Sequence, residues 1–366
     1  MALRGTTRSA AFAAAVASAL VAGAIATGAT PGDPGLRTPS SVPLVPPTAA
    51  AEAMPSPVPA AAADDGGRIY HGVHMSPGSA KWQAEIYREI SDARWAKHLV
   101  DYRDDTHARW ELQHWCGGAL IAKDWVLTAA HCIISPDPEV PPVLQPGFDA
   151  QSGAMAVSKK AGVSLSTCVN AHVLSDNWRI RLGADDVAKG DGITFRIDCV
   201  VVHPRWKSSD MFHDDIALLH FVPDGPPPER DPKRVQQIKL SKDLALKEGE
   251  SVTVMGWGKT EPVAGFAPSA LLMGVALDVK SEEFCAAQLE TRPGQIHPKV
   301  ICAGAADAKT CLGDSGGPVV FTDNPNYLVG IVSWGRASCT GDAKPGVYTR
   351  VAAYTDWIED VLKATL

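Results

Sequence analysis

The chain has 366 residues, 45% hydrophobic and 20% charged, enough apolar material for one large core or two moderate ones. Its formal net charge of −7, with no strong basic cluster to offset it, gives no electrostatic reason to expect a nucleic acid or an anionic membrane as partner. Its eight cysteines (Cys116, Cys132, Cys168, Cys199, Cys285, Cys302, Cys311 and Cys339) include no C-x-x-C pair, which argues against a zinc site.

In chain order, Arg4 and Arg8 precede the short alanine-rich run "SAAFAAAVASALVAGAIA", followed by small residues. This is the layout of a secretory signal peptide over residues 1–26, with cleavage after Ala26 or Ala29. No positive stop-transfer cluster follows and the two arginines are not adjacent, so neither a membrane anchor nor a twin-arginine signal is expected. Export places the mature chain in a secreted or periplasmic setting, where an even number of cysteines favours disulfides. Residues 27–68 are rich in proline and alanine, with few large apolar side chains to offset the entropy of ordering. They read as a propeptide or linker.

After Arg68 the composition changes. Short β-prone runs such as "GGALIAKDWVLTAA", "NWRIRLGA", "ITFRIDCVVVHP", "SVTVMGWG" and "LVGIVSWG" alternate with Gly, Pro and Asp breaks. That spacing predicts an all-β sandwich or barrel over residues 69–366. Two stretches read as long loops, 87–110 for its charge and 133–177 for its Pro, Gly and Ser breaks. Helical intervals are expected only at the end, where Tyr354, Trp357, Ile358, Val361 and Leu362 predict a C-terminal amphipathic helix. His71 and His74 read as exposed histidines near a chain end, and Asp185, Asp186 and Asp191 as a solvated turn. Neither group supplies a convincing metal-ligand set, so no metal and no cofactor is expected.

Three separated segments carry the chemistry. "LTAAHC" supplies His131, "HDDIALL" supplies Asp215 and "GDSGGP" supplies Ser315. Acyl transfer by serine needs a base for the hydroxyl proton and a carboxylate that fixes the imidazole tautomer. With "RIYHG", "KWQAEI", "WCGGALI", "VMGWGKT", "VICAG", "IVSWG" and "PGVYTRV", these segments resemble the trypsin/chymotrypsin-like serine peptidases, over nearly all of the chain from Ile69 onward. The resemblance implies two antiparallel β-barrels with the catalytic site in the cleft between them. It also implies a secreted endopeptidase acting on protein or peptide substrates. The alternative reading is a catalytically weak binding protein on the same scaffold, and an esterase with the same acylation chemistry is a third.

The resemblance assigns roles residue by residue. Ser315 would be the nucleophile, His131 the general acid and base, and Asp215 the orienting carboxylate, with the neighbouring Asp214 turned to solvent. The N–H groups of Gly313 and Ser315 would form the oxyanion hole. Ser333 would help hold Asp215, and Trp334 and Gly335 would line the substrate pocket. Cys116–Cys132, Cys285–Cys302 and Cys311–Cys339 are the implied disulfides. Cys168 and Cys199, which the common family pattern does not supply, are left to pair with each other.

Lys309 stands six residues before Ser315, where an aspartate would select basic substrate side chains. With Gly335 and Gly346 leaving the pocket open, a lysine there would attract acidic side chains. An apolar preference, with Lys309 snorkelling outward, and a basic one, with Asp307 or Asp342 offsetting the lysine, stay open. "GGRIYHG" resembles the family's activation site. Cleavage between Arg68 and Ile69, expected in trans by an arginine-cleaving activating protease because Lys309 would repel Arg68, would give an ammonium that pairs with Asp314.

Overall fold

The computed structural model describes residues 72–364 apart from 103–106, 134–176, 208–212, 226–229, 244–245, 260–267, 293, 306–309 and 336–343. The expected leader and linker over 1–68, Ile69, His71, Cys168, Lys309, Asp307, Cys339 and Asp342 therefore lie outside the described residues.

In chain order the strands of the first half are β1 (Val73–His74), β2 (Gln83–Arg88), β3 (His114–Ala122), β4 (Trp125–Thr128), β5 (Trp178–Leu182), β6 (Ile193–Val202) and β7 (Ala217–Pro223). Those of the second half are β8 (Lys239–Leu240), β9 (Ser251–Gly256), β10 (Met273–Val279), β11 (Val300–Gly304), β12 (Pro318–Phe321), β13 (Tyr327–Gly335) and β14 (Gly346–Arg350). Strands β2-β3-β4-β7-β6-β5 close into an antiparallel barrel. A second ring runs β10-β11-β14-β13-β12-β9 and closes through β9 and β10, with β1 added on β10 and β8 on β13. The two barrels agree with the expected all-β architecture.

Period-two patterning explains the barrel interiors. In β5, Trp178, Ile180 and Leu182 are buried while Arg179 and Arg181 alternate with them at the half-buried positions. Their neighbours Phe195 and Phe221 meet inside the same barrel with ring centroids 4.8 Å apart. Burying each such side chain is worth roughly 1.5–3 kcal/mol, which fixes the register because a slip of one residue would turn them outward.

Helix α3 (Thr355–Ala364) is the expected C-terminal helix. Tyr354, Ile358 and Val361 are buried, and His203 at the end of β6 sits edge-on to Tyr354 and Trp357 at 5.1 and 5.0 Å.

Two further helices among the described residues correct the expectation that only the C-terminus is helical. Helix α1 (Asp92–Tyr102) occupies the stretch read as a loop. The Ser91 hydroxyl accepts from the Arg94 amide, Trp95 stacks on His98 at 5.5 Å, and Lys97 pairs with Asp101. Such (i, i+3) and (i, i+4) pairs support a helix with little burial behind it, which the charge-based reading overlooked. Helix α2 (Glu282–Leu289) begins at Ser281, whose hydroxyl accepts from the Phe284 amide, with two glutamates in its first turn. It is held down by the buried Cys285 and Leu289, one turn apart.

The turn with Asp185, Asp186 and Asp191 closes on itself rather than facing water alone. Both carboxylate oxygens of Asp191 accept from Arg234 at 2.6 Å, and Asp186 accepts from the Lys189 amide at 3.2 Å.

Candidate active site

His131 lies in the single helical turn after β4, next to the Cys116–Cys132 disulfide that ties that turn to β3. Asp215 lies just before β7 in the same barrel and is 2% exposed. The Nδ1–H of His131 donates to one Asp215 oxygen at 2.8 Å, and the His131 amide donates to the other at 2.9 Å. The second barrel closes the set. The Ser333 hydroxyl in β13 donates to the Asp215 carboxylate at 2.5 Å, and Thr349 in β14 donates to its carbonyl at 2.8 Å.

These bonds set the electrostatics. Burial alone would raise the Asp215 carboxyl, but the charge of His131 and the donated hydrogen bonds carry it below the usual range. Burial alone would likewise depress His131, and the charge and hydrogen bond of Asp215 outweigh it, so the imidazole is held above the ordinary value of 6.5. With Nδ1 committed to Asp215, Nε2 is the basic atom left for proton transfer.

Ser315 stands on the turn leading into β12, and its carbonyl accepts from the Gly117 amide across the barrels at 2.7 Å. Among the described residues its hydroxyl makes no hydrogen bond. The string Gly313–Gly317 also spells G-x-S-x-G, but the chain runs on into a strand and not into the helix that an α/β-hydrolase elbow requires, so the match is not such an elbow. Gly313 has φ 97°, a conformation that favours glycine. Among the described residues the amides of Gly313 and Ser315 donate to no backbone carbonyl.

Asp314 is fully buried. Its carboxylate accepts from the amides of Gly258 at 2.9 Å and Cys311 at 2.8 Å. A β-carbon on Gly258 would lie 2.5 Å from the carboxylate carbon, so glycine is what permits that approach. Burial pushes the Asp314 carboxyl up to about 6, with the two amides and His114 opposing it.

At the residues expected to line the substrate pocket, Gly335 pairs with Gly346 across β13 and β14, and Trp334 with Val347. Cys285–Cys302 forms as expected. Cys199 and Cys311 are disulfide-bonded as well, and the cysteines expected opposite them lie outside the described residues. Cys116, His131 and Cys132 cluster closely enough to suggest a metal, but both sulfurs are taken by their disulfide.

One expectation is overturned. Asp214 is not turned to solvent: its side chain is 10% exposed and pairs with Arg205 at 2.9 Å and with Lys299 at 3.2 Å. Its φ of 53° swings the carboxylate away from Asp215 and into reach of both cations. Thr349, Glu85 and His114 were not singled out in the sequence. The "HWC" string, which puts His114 two residues ahead of the Cys116 whose disulfide holds the His131 turn, was the available signal for His114.

The family model for Trypsin matches residues 69–145 and 150–358. Kallikrein-15 of Saguinus oedipus is 29% identical over 82% of this chain and 94% of its own. Trypsin-4 of Rattus norvegicus is 31% identical over 73% of this chain and 86% of its own. Among solved structures, neuropsin, a serine protease expressed in the limbic system of mouse brain, is similar with a TM-score of 0.54 and 25% identity, over 80% of this chain and 99% of its own.

Proposed function

The chain belongs to the trypsin family, and on that premise we propose that it is a secreted serine endopeptidase working through an acyl-enzyme intermediate. The observation that carries this reading is the His131–Asp215 pair, its 2.8 Å hydrogen bond braced from the other barrel by Ser333. Ser315 attacks the scissile carbonyl while His131 Nε2 takes its proton and later returns it to the leaving amine. Asp215 holds the tautomer and balances the imidazolium. The Gly313 and Ser315 amides bind the oxyanion, and the Trp334–Gly335 edge pairs with the extended substrate backbone. Cleavage between Arg68 and Ile69 activates the chain, and the new ammonium pairs with Asp314. No helix among the described residues is long and apolar enough to cross a membrane.

A fluorophosphonate probe tests the reading directly. Labelling at Ser315 in the processed protein, and little in the uncut chain, is the expected result. An unlabelled Ser315 in both forms would favour the binding-protein alternative.

We assign acidic side chains as the preferred substrate class, because Lys309 stands six residues before Ser315, the position that the family resemblance gives to the base of the pocket, and neither Gly335 nor Gly346 carries a side chain to block it. Lys309→Asp is expected to lower cleavage after Asp or Glu at least tenfold and to admit Arg, by reversing the charge at a secluded site. A peptide-library profile unchanged by the substitution would exclude Lys309 from the pocket.

A further inference from the structure

Glu85, His114 and Arg181 are charged groups of the first barrel that the mechanism above does not use. Glu85 in β2 and His114 in β3 are 2% and 3% exposed. One Glu85 oxygen lies 3.1 Å from His114 Nδ1, and the other lies 2.9 Å from an Arg181 guanidinium nitrogen. Arg181 in turn covers the Tyr87 ring at 4.5 Å. On the far side of the imidazole, Nε2 lies 3.0 Å from the carbonyl oxygen of Gly313. The ring packs so closely on that turn that a β-carbon at Gly313 would lie 3.3 Å from its Cδ2 and Nε2.

Both atoms that face the ring nitrogens are acceptors. The second Glu85 oxygen faces the Arg181 guanidinium at 2.9 Å, and a carbonyl has no proton to give. A neutral imidazole carries a single N–H, which would leave a lone pair pointed at one of the two oxygens. An imidazolium donates to both. The titratable groups that face the ring are Glu85 from β2 and Asp314 from the serine turn, with Arg181 from β5 on the opposite side of Glu85. Trp257 offers only a ring edge, 6.4 Å away.

We propose that His114 is a buried imidazolium, held by Glu85, that positions the Gly313 carbonyl and so fixes the turn bearing the oxyanion donors and Ser315. Neither side chain touches substrate; both are positioning residues. The mechanism is a donated hydrogen bond across the barrels: the first barrel fixes Glu85, Glu85 fixes the ring, and the ring fixes the backbone torsion after Gly313. The catalytic consequence rests on the peptidase reading, whereas the charge state of the ring does not.

The test has two arms. In Ser315→Ala protein labelled at histidine with nitrogen-15, which needs no activity, the His114 ring should show both nitrogens protonated at pH 7.5, assigned by its loss in His114→Gln. Glu85→Gln should convert the signal to a neutral tautomer, and Glu85→Asp, which keeps the charge, should preserve the imidazolium. A neutral His114 in the parent protein at that pH overturns the proposal without any variant. In the processed enzyme, Glu85→Gln should lower kcat about tenfold, a fraction of the loss of a whole oxyanion donor, with KM within about twofold. A kcat unchanged by Glu85→Gln, in protein whose ring has become neutral, overturns the positioning role. An inert parent enzyme would refute the peptidase reading and leave the nuclear resonance arm to decide the charge.

Discussion

Replacing Ser315 by alanine is expected to lower peptide hydrolysis by roughly 10⁴- to 10⁶-fold. Secretion, disulfides and melting temperature should not change. The Ser315 hydroxyl makes no hydrogen bond among the described residues, and the backbone carbonyl that accepts from Gly117 across the barrels is kept by alanine. His131→Ala should lose a comparable share of the rate, because nucleophile and base act as a unit. The two variants should differ in stability. Losing the imidazole leaves the 2%-exposed Asp215 carboxylate without its cationic partner, with only Ser333 and the His131 amide as donors. A cost of roughly 1–3 kcal/mol follows, readable by urea denaturation. In the parent enzyme kcat/KM should rise with pH as His131 loses its proton, with a midpoint above 6.5 because Asp215 holds the imidazole up. Activity within tenfold of the parent in Ser315→Ala would remove Ser315 from the chemistry.

How far the sequence anticipates this site depends on the range of the interactions. The strands of both barrels follow from alternation inside short segments such as "WRIRL", and the C-terminal helix from the spacing of Tyr354, Ile358 and Val361, because burial in each case is written into a single run of residues. His131, Asp215 and Ser333 were legible because each sits in a compact motif whose neighbours carry the resemblance. Helix α1 was not, since its support is pairwise between charged and aromatic side chains rather than an apolar stripe. Asp214 was misread for a different reason: its carboxylate is claimed by Arg205, nine residues back, and by Lys299 of the other barrel. The same distance hides Glu85 and His114. A carboxylate in β2, an imidazole in β3 and a carbonyl at Gly313 become one line of hydrogen bonds only after both barrels have closed.

Precursor carrying Ser315→Ala is expected to be cut between Arg68 and Ile69 by added trypsin, and not by the mature enzyme. The first half follows from an arginine ahead of an apolar residue at the end of a Pro/Ala-rich segment. The second follows from Lys309, which would repel the Arg68 side chain from the pocket. What cleavage supplies is read at Asp314. In the uncut chain this fully buried carboxyl is pushed up to about 6 from an ordinary 3.8, so the folded chain holds a proton that the unfolded chain gives up. Between pH 4 and pH 6 folding therefore takes up a proton, and precursor stability should fall as pH rises through that window, by about 3 kcal/mol. Asp314→Asn lacks that component, so the difference between the two precursors isolates it by urea denaturation at pH 4 and pH 7. A buried ammonium beside the carboxylate removes the reason for the shift, so the trypsin-cut protein should lose the same dependence. If cut and uncut chains keep identical pH profiles, the new terminus does not reach Asp314. Efficient cutting by the mature enzyme would instead locate the error at Lys309, because an enzyme that accepts Arg68 in its pocket cannot have an unbalanced lysine charge at the base.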